Sequence, residues 1–289
     1  MPGLIRVAIS MALLGLLAGH FGEAIITQFL AADTVWLGIA LFIGLLQVPV
    51  CAWRWRYTAG RLDLDLAPGI AIREYYLATL INQTLPGGIL GDAHRAWRHG
   101  RGLPRRGPAF QAVVIERFSG QIAMAGIALA TWLAIAPSST NARLLALVVT
   151  ALVMAGSLRL LARAAQAQPG WLRDWAEAIR RSLLSGMALP IQLTASLLVA
   201  GSHIAVFIGC LLALNATGDP LRWCMLIPPV LFAMLIPASI GGWGLREGAA
   251  AVIWPLAGLP ASEGVAAAVA YGGIAMLTGL PGVFTLLRR

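Results

Sequence analysis

The sequence predicts an all-α polytopic membrane protein. Six full spans are joined by two opposed re-entrant helical hairpins, arranged as an inverted-topology repeat. Three observations carry this. The 289 residues are 59% hydrophobic and 11% charged, with a mean hydropathy of +0.80, whereas a soluble domain is nearer one-quarter charged. The Arg residues fall largely in short loops on one side of alternating apolar runs. Two Pro/Gly-rich breaks interrupt apolar sequence in the two halves, and paired interruptions of this kind point to a transport site.

No polar loop exceeds roughly 20 residues, which leaves no room for a soluble domain. The chain therefore reads as one transmembrane domain over 1–289. Its repeat halves lie at about 34–161 and 183–289, with an amphipathic cytoplasmic linker at 162–182. The net charge of +9 does not indicate a nucleic-acid partner, because short Arg-bearing loops are what membrane topology demands. All 21 basic residues are Arg. Cys51, Cys210 and Cys224 lie far apart in or beside apolar segments and read as small hydrophobes. No metal site or cofactor is expected, and no nucleotide-binding loop is visible.

The first span is 7–31. Its apolar character resumes after His20 and Glu23, which argues for a span rather than a signal peptide. Glu23 would cost about 2.5–3.5 kcal/mol facing lipid, so it is expected to face the bundle interior. The second span, 34–53, ends in Trp53-Arg54-Trp55-Arg56-Tyr57, an aromatic belt joined to positive charge. Residues 72–85 form an apolar half-helix. After the break the chain becomes polar again at Arg95, Arg98, His99 and Arg101. Basic clusters flank the 74–94 segment on both sides, so this hairpin enters and leaves on the cytoplasmic face. Glu116-Arg117 opens the third span, 113–136, as part of an ion-pair network or as a surface pair. An exterior turn at 137–141 leads to the fourth span, 143–161.

In the linker, Trp171, Leu172, Trp175 and Ile179 recur at helical spacing, which suits a helix lying on the membrane surface. The fifth span is 186–214, with His203 read as a packing residue. Residues 223–237 are too short to cross. They lead into the second break, and 243–256 leads back out. The last span, 264–286, ends at Arg288-Arg289. Only Arg117, Arg143, Arg222 and Arg246 lie away from the cytoplasmic side, which puts both termini in the cytoplasm.

The breaks run from Asn82 to Arg95 and from Ile236 to Ala249. Arg95 follows Pro86 by nine positions, and Arg246 follows Pro237 by nine. Asp92 and Glu247 are the neighbouring acids. Each second half-helix starts at glycines, so its N–H groups and dipole favour an anion. Gly87, Gly88, Gly241 and Gly242 would let a phosphate oxygen approach the backbone. Arg95 and Arg246 add planar forks suited to phosphate. The candidate substrate-binding residues are Asn82, Gly87, Gly88, Asp92, Arg95, Glu116, Arg117, Gly241, Gly242, Trp243, Arg246 and Glu247. Alternatively, Asp92–Arg95 and Arg246–Glu247 pair internally and lock the hairpins.

At these residues the chain resembles the lysylphosphatidylglycerol synthase transmembrane family, also called flippase-like membrane proteins. The matching pieces are Arg54-Trp55-Arg56, Asn82…Leu85-Pro86-Gly87-Gly88…Gly91-Asp92…Arg95, Glu116-Arg117, and Pro237…Gly241-Gly242-Trp243-Gly244-Leu245-Arg246-Glu247-Gly248. The gap between Gly88 and Gly91-Asp92 is looser than the family's compact Gly-Gly-Asp. The resemblance does not extend to the soluble aminoacyl-transferase domain of the full-length synthases. It implies a flippase-like module rather than synthesis of lysyl-lipid.

The leading expectation is a flippase in a bacterial inner membrane. It would move a phospholipid, an aminoacyl-lipid or a polyprenyl-phosphate-linked lipid, without being an enzyme. One alternative is a non-transporting anchor that recruits a lipid synthase partner through 162–182. Another is a membrane glycosyl- or phosphotransferase, which would need a carboxylate cluster or a nucleophile–base pair.

Overall fold

In the computed structural model, which describes residues 2–85, 88–135, 170–234 and 239–287, the apolar runs fold as helices. In chain order these are α1 (Pro2–Leu30), α2 (Thr34–Arg61), α3 (Pro68–Thr84), α4 (Leu90–Gly100), α5 (Gly107–Ile135), α6 (Trp171–Ile179), α7 (Ala188–Ala213), α8 (Pro220–Ala233), α9 (Leu245–Leu256), α10 (Ala261–Gly279) and α11 (Val283–Leu287). α1, α2, α5, α7 and α10 are long and apolar enough to cross a bilayer, α10 together with the 3-10 turn Leu280–Gly282 that continues it. Five predicted spans thus stand as helices. The fourth, 143–161, and the turn at 137–141 lie outside the described residues.

The four helices beside the breaks are short. With 17, 11, 14 and 12 residues in α3, α4, α8 and α9, each extends no more than about 26 Å at ~1.5 Å per residue. None reaches the ~30 Å of a hydrocarbon core. Local chemistry sets their limits. Pro68 and Pro220 open α3 and α8, where a missing N–H costs nothing. The Asp219 carboxylate accepts the N–H groups of Leu221 (2.9 Å) and Arg222 (3.1 Å). α4 folds back on α3 so closely that a Cβ on Gly91 would overlap the Ala78 carbonyl.

Contacts gather at two ends of the molecule. At one end Arg61 donates to the Arg181 carbonyl (2.9 Å), Arg181 pairs with Asp63 (2.6 Å), and His99 donates to the Asp65 carbonyl (3.2 Å). These bonds join the end of α2, the outer ends of α3 and α4, and the approach to α7. At the other end the Asp33 N–H donates to Ala213 (2.8 Å), and the Thr217 hydroxyl donates to Glu263 (2.9 Å). Trp223 Nε1 donates to Thr217 (3.2 Å). The outer ends of α8 and α9 lie there, Gly218 resting against Leu259. The two breaks meet between these ends. A Cβ on Gly241 would stand 2.8 Å from Gln83 Oε1 at the tip of α3.

Small residues let the long helices approach one another, as membrane packing favours. Gly209 on α7 sits against Ala40 on α2, Gly44 on α2 against Thr278, and Gly264 on α10 against Trp254. Phe207, Leu211, Leu226, Ile227 and Trp254 are fully buried around this seam. α1 lies outside it. It touches the second break through Ser10, which accepts the Ile240 N–H (3.1 Å). Its Glu23 is exposed, not turned into the bundle as the sequence suggested. Only a narrow stripe of α1 is covered, and Glu23 falls off that stripe. α6 carries an exposed Trp171, while Trp175 packs edge-on against Phe110 at 6.2 Å.

Candidate functional site

α4 begins one turn before Arg95, which places Asp92 in the first turn, where the helix dipole favours a carboxylate. Arg95 reaches back to Asp92 (Nε–Oδ1 3.0 Å) and across to Glu116 on α5 (2.7 Å). Its guanidinium lies over the rings of Trp55 (4.8 Å) and Tyr75 (4.4 Å) and is fully buried. Glu116 also faces Arg54 Nη1 at 3.8 Å. Arg54 donates further to the Glu116 carbonyl (2.9 Å) and to the Ser119 hydroxyl (2.7 Å). Arg117 pairs with Asp92 and donates to the Gly88 carbonyl (3.0 Å). Asn82 binds Asp92 through its amide nitrogen (2.9 Å) and takes the Gly91 N–H on its oxygen (2.8 Å). Arg54, Arg95 and Arg117 thus share Asp92 and Glu116, which leaves one positive charge in excess in this network.

The second break repeats the theme on a smaller scale. Gly244 carries φ +86° before α9, a conformation that favours glycine. Its N–H is taken by Glu247 (2.6 Å), whose other oxygen pairs with Arg246. Arg246 lies over Trp243 and Tyr271, 5.1 Å from each ring centre. Each break thus holds one fully buried Arg over one Trp and one Tyr, paired with the acid of its own helix. Each also satisfies an N-terminal N–H from within the chain, through Asn82 or Glu247. The N–H groups of Gly91 and Gly244, at the starts of these helices, are therefore already occupied.

A cavity of about 680 Å³ connects the two regions. Of the candidate residues, Asn82, Gly88, Asp92, Glu116, Arg117, Gly241 and Gly242 line it. Arg95, Trp243, Arg246 and Glu247 are not among its described lining; they stand behind the wall, with both guanidinium groups fully buried. Gly87 lies outside the described residues, as do Pro86 and Pro237. The pairings Asp92–Arg95 and Arg246–Glu247 that the sequence offered as hairpin locks are both present.

Arg54, Trp55 and Tyr75 were not singled out by the sequence as site residues. Arg54 and Trp55 were read as part of an interfacial belt, yet they are buried while Trp53 is exposed. Helical phase held the missing signal. Cys51, Arg54, Trp55 and Thr58 share one face and are all buried, whereas Trp53 and Arg56 lie on the other. Tyr75 gave no such signal, because its ring partner Arg95 lies beyond the break. Among the described residues, no three His, Cys, Asp or Glu side chains converge as a metal site would need.

Long apolar helices around a cavity with an Arg–carboxylate network on one side define a multi-pass α-helical membrane protein with a polar interior site. The chain belongs to the family described as the lysylphosphatidylglycerol synthase TM region, whose model matches residues 3–282. That family points to a lipid-related role in the membrane. No curated protein and no solved structure matches the chain.

Proposed function

We propose that the chain is a lipid flippase of a bacterial inner membrane, moving a lipid with a phosphate-bearing headgroup between leaflets without altering it chemically. The reading adds a sixth span at 143–161, takes α3–α4 and α8–α9 as re-entrant hairpins of an inverted repeat, and puts both termini in the cytoplasm. The observation that carries it is one cavity that touches both breaks, lined by Arg54 and Arg117 on one side and by Gly241 and Gly242 on the other. A volume near 680 Å³ suits a small-molecule group, and an excess guanidinium suits phosphate.

Roles divide by position. Arg117, about one-third exposed, and Arg54 would face the headgroup. Arg95 and Arg246 would be positioning residues that hold the hairpin tips in shape. The Arg-rich end, with Arg98, Arg101, Arg105 and Arg181, suits the cytoplasmic side. The test is transbilayer movement of an anionic phospholipid in proteoliposomes. Arg117→Ala should abolish it while the protein still purifies, and Arg117→Lys should restore only part, since the ammonium lacks the planar fork. Full transport by Arg117→Ala would remove Arg117 from the headgroup path.

A further inference from the structure

A second hollow, of about 660 Å³, lies along the seam between α2 and α7. Its walls include Pro49, Val50 and Trp53 of α2 and Pro190, Thr194 and Leu198 of α7. The central cavity instead takes Cys51 and Arg54 from α2 and Ser196, Val199 and His203 from α7. Helical phase therefore turns the two hollows to opposite sides of the seam. Trp53, Thr194 and Leu198 are exposed, which puts this groove on the lipid-facing surface. Short side chains at Pro49, Val50, Pro190 and Thr194 leave the depression between the longer Trp53 and Leu198. Neither proline strands a backbone group. Pro190 lies in the first turn of α7, where N–H groups have no helical partner. Pro49 releases the Leu45 carbonyl, and the Tyr76 hydroxyl takes it at 2.8 Å.

Polar chemistry begins at the Arg-rich end of the groove. Trp53 stacks on Tyr57 with 5.8 Å between ring centres, and Arg61 follows one turn further along the same face of α2. Arg61 donates to the Arg181 and Ser185 carbonyls. Among the described residues no carboxylate forms an ion pair with it, and the nearby Asp63 pairs with Arg181 instead. From Pro49 to Arg61 the helix rises about 18 Å at ~1.5 Å per residue, a little over half of a ~30 Å hydrocarbon core. An apolar groove one leaflet deep, ending at an aromatic pair and an unshared guanidinium, matches an acyl chain below a phosphate. Membrane helices associate through small and polar residues, whereas no glycine lines this groove. A zwitterionic headgroup would bring an ammonium to a cation that has no carboxylate to share.

We propose that this groove holds one acyl chain of an anionic phospholipid from the leaflet at the Arg-rich end, with the phosphate at Arg61. The lipid stays on the outer surface and braces α2 against α7, whose other faces present Arg54 and His203 to the central cavity. This site is independent of flippase activity and is tested by binding.

The detergent-purified full chain is titrated with a phosphatidylglycerol that carries a diazirine on its acyl chain. Labelled residues are located by peptide mass spectrometry. Saturable label should fall on groove residues such as Trp53 and Leu198 rather than on Cys51 or Ser196, which face the cavity. Unlabelled phosphatidylglycerol should displace it at about fivefold lower concentration than phosphatidylcholine of the same acyl chains. Thr194→Trp fills the groove from an exposed position and should abolish the label. Arg61→Gln keeps an N–H for the Arg181 carbonyl but drops the charge, and should make the two competitors equal.

Equal displacement by both lipids in the unaltered chain overturns the proposal, as does saturable label confined to the cavity face. Groove label that survives Thr194→Trp, or a fivefold difference that survives Arg61→Gln, does the same. A dimer of the purified chain that Thr194→Trp dissociates would give the groove to a second copy instead. Should Arg61→Gln fail to fold, Thr194→Trp and the competition on the unaltered chain still decide.

Discussion

Glu116 sits between two buried guanidinium groups, 2.7 Å from Arg95 and 3.8 Å from Arg54. Removing its charge leaves both buried cations with less than their full pairing. Breaking a buried pair on one side costs about 3–5 kcal/mol. Glu116→Gln should therefore lower the unfolding midpoint strongly in detergent, a shift read from tryptophan fluorescence. Arg117→Ala should change stability far less, because Arg117 is partly exposed and Asp92 keeps Arg95 and Asn82. Equal destabilisation by the two substitutions would contradict this division between a buried and a partly exposed charge. At this scale the sequence was informative where the partner was near: Asp92 and Arg95 lie three residues apart on one helix, and Arg246 and Glu247 are adjacent. It was silent on Arg54–Glu116 and Tyr75–Arg95, whose partners meet only through tertiary packing.

Helix ends and crossings carry the next level. Gly91 lets α4 cross α3 against the Ala78 carbonyl, and backbone cannot move aside as a flexible side chain can. Gly91→Ala should destabilise by about 1–3 kcal/mol or more, whereas Gly126→Ala, with open space around it, should not. A comparable midpoint for the two variants would show that the α3–α4 crossing is looser than described.

His99 closes the outer end of α4. Burial pushes its imidazole below the ordinary value, despite the bond to the Asp65 carbonyl that acts the other way. A lowered folded-state value means that the unfolded chain binds the proton more readily. His99's contribution is thus fully present above the usual ~6.5 and is lost as pH falls from there. Melting midpoints should drop between pH 6.5 and 5 in the unaltered chain, and less so in His99→Gln. At this scale the sequence placed the elements well, because Pro, Gly and long apolar runs act locally. It misjudged Glu23, since the orientation of α1 depends on which neighbours cover it, and no local pattern reports that.

The whole molecule has an Arg-rich end and an Arg-poor end, with the two breaks meeting between them. After replacement of the exposed Cys224, cysteines at the exposed Arg105 and Gly170 should label only from the cytoplasm. A cysteine at the exposed Arg222 should label only from outside. Labelling of Gly170 and Arg222 from one side would mean that α7 does not cross the membrane and would end the inverted-repeat reading. The composition and Arg distribution made the two-sided layout legible. The joining of both breaks by one cavity was not, because it requires Gln83 and Gly241, more than 150 residues apart in the chain, to come together.

The most direct measurement reconstitutes the purified chain in liposomes containing phosphatidylglycerol. It follows that lipid's appearance in the opposite leaflet and then weighs the recovered lipid by mass spectrometry. A flippase moves the lipid faster than protein-free liposomes do and returns it at unchanged mass. No movement above the protein-free rate for phosphatidylglycerol or for a glucosyl polyprenyl phosphate, or a covalently altered lipid formed by this chain alone, would contradict that function.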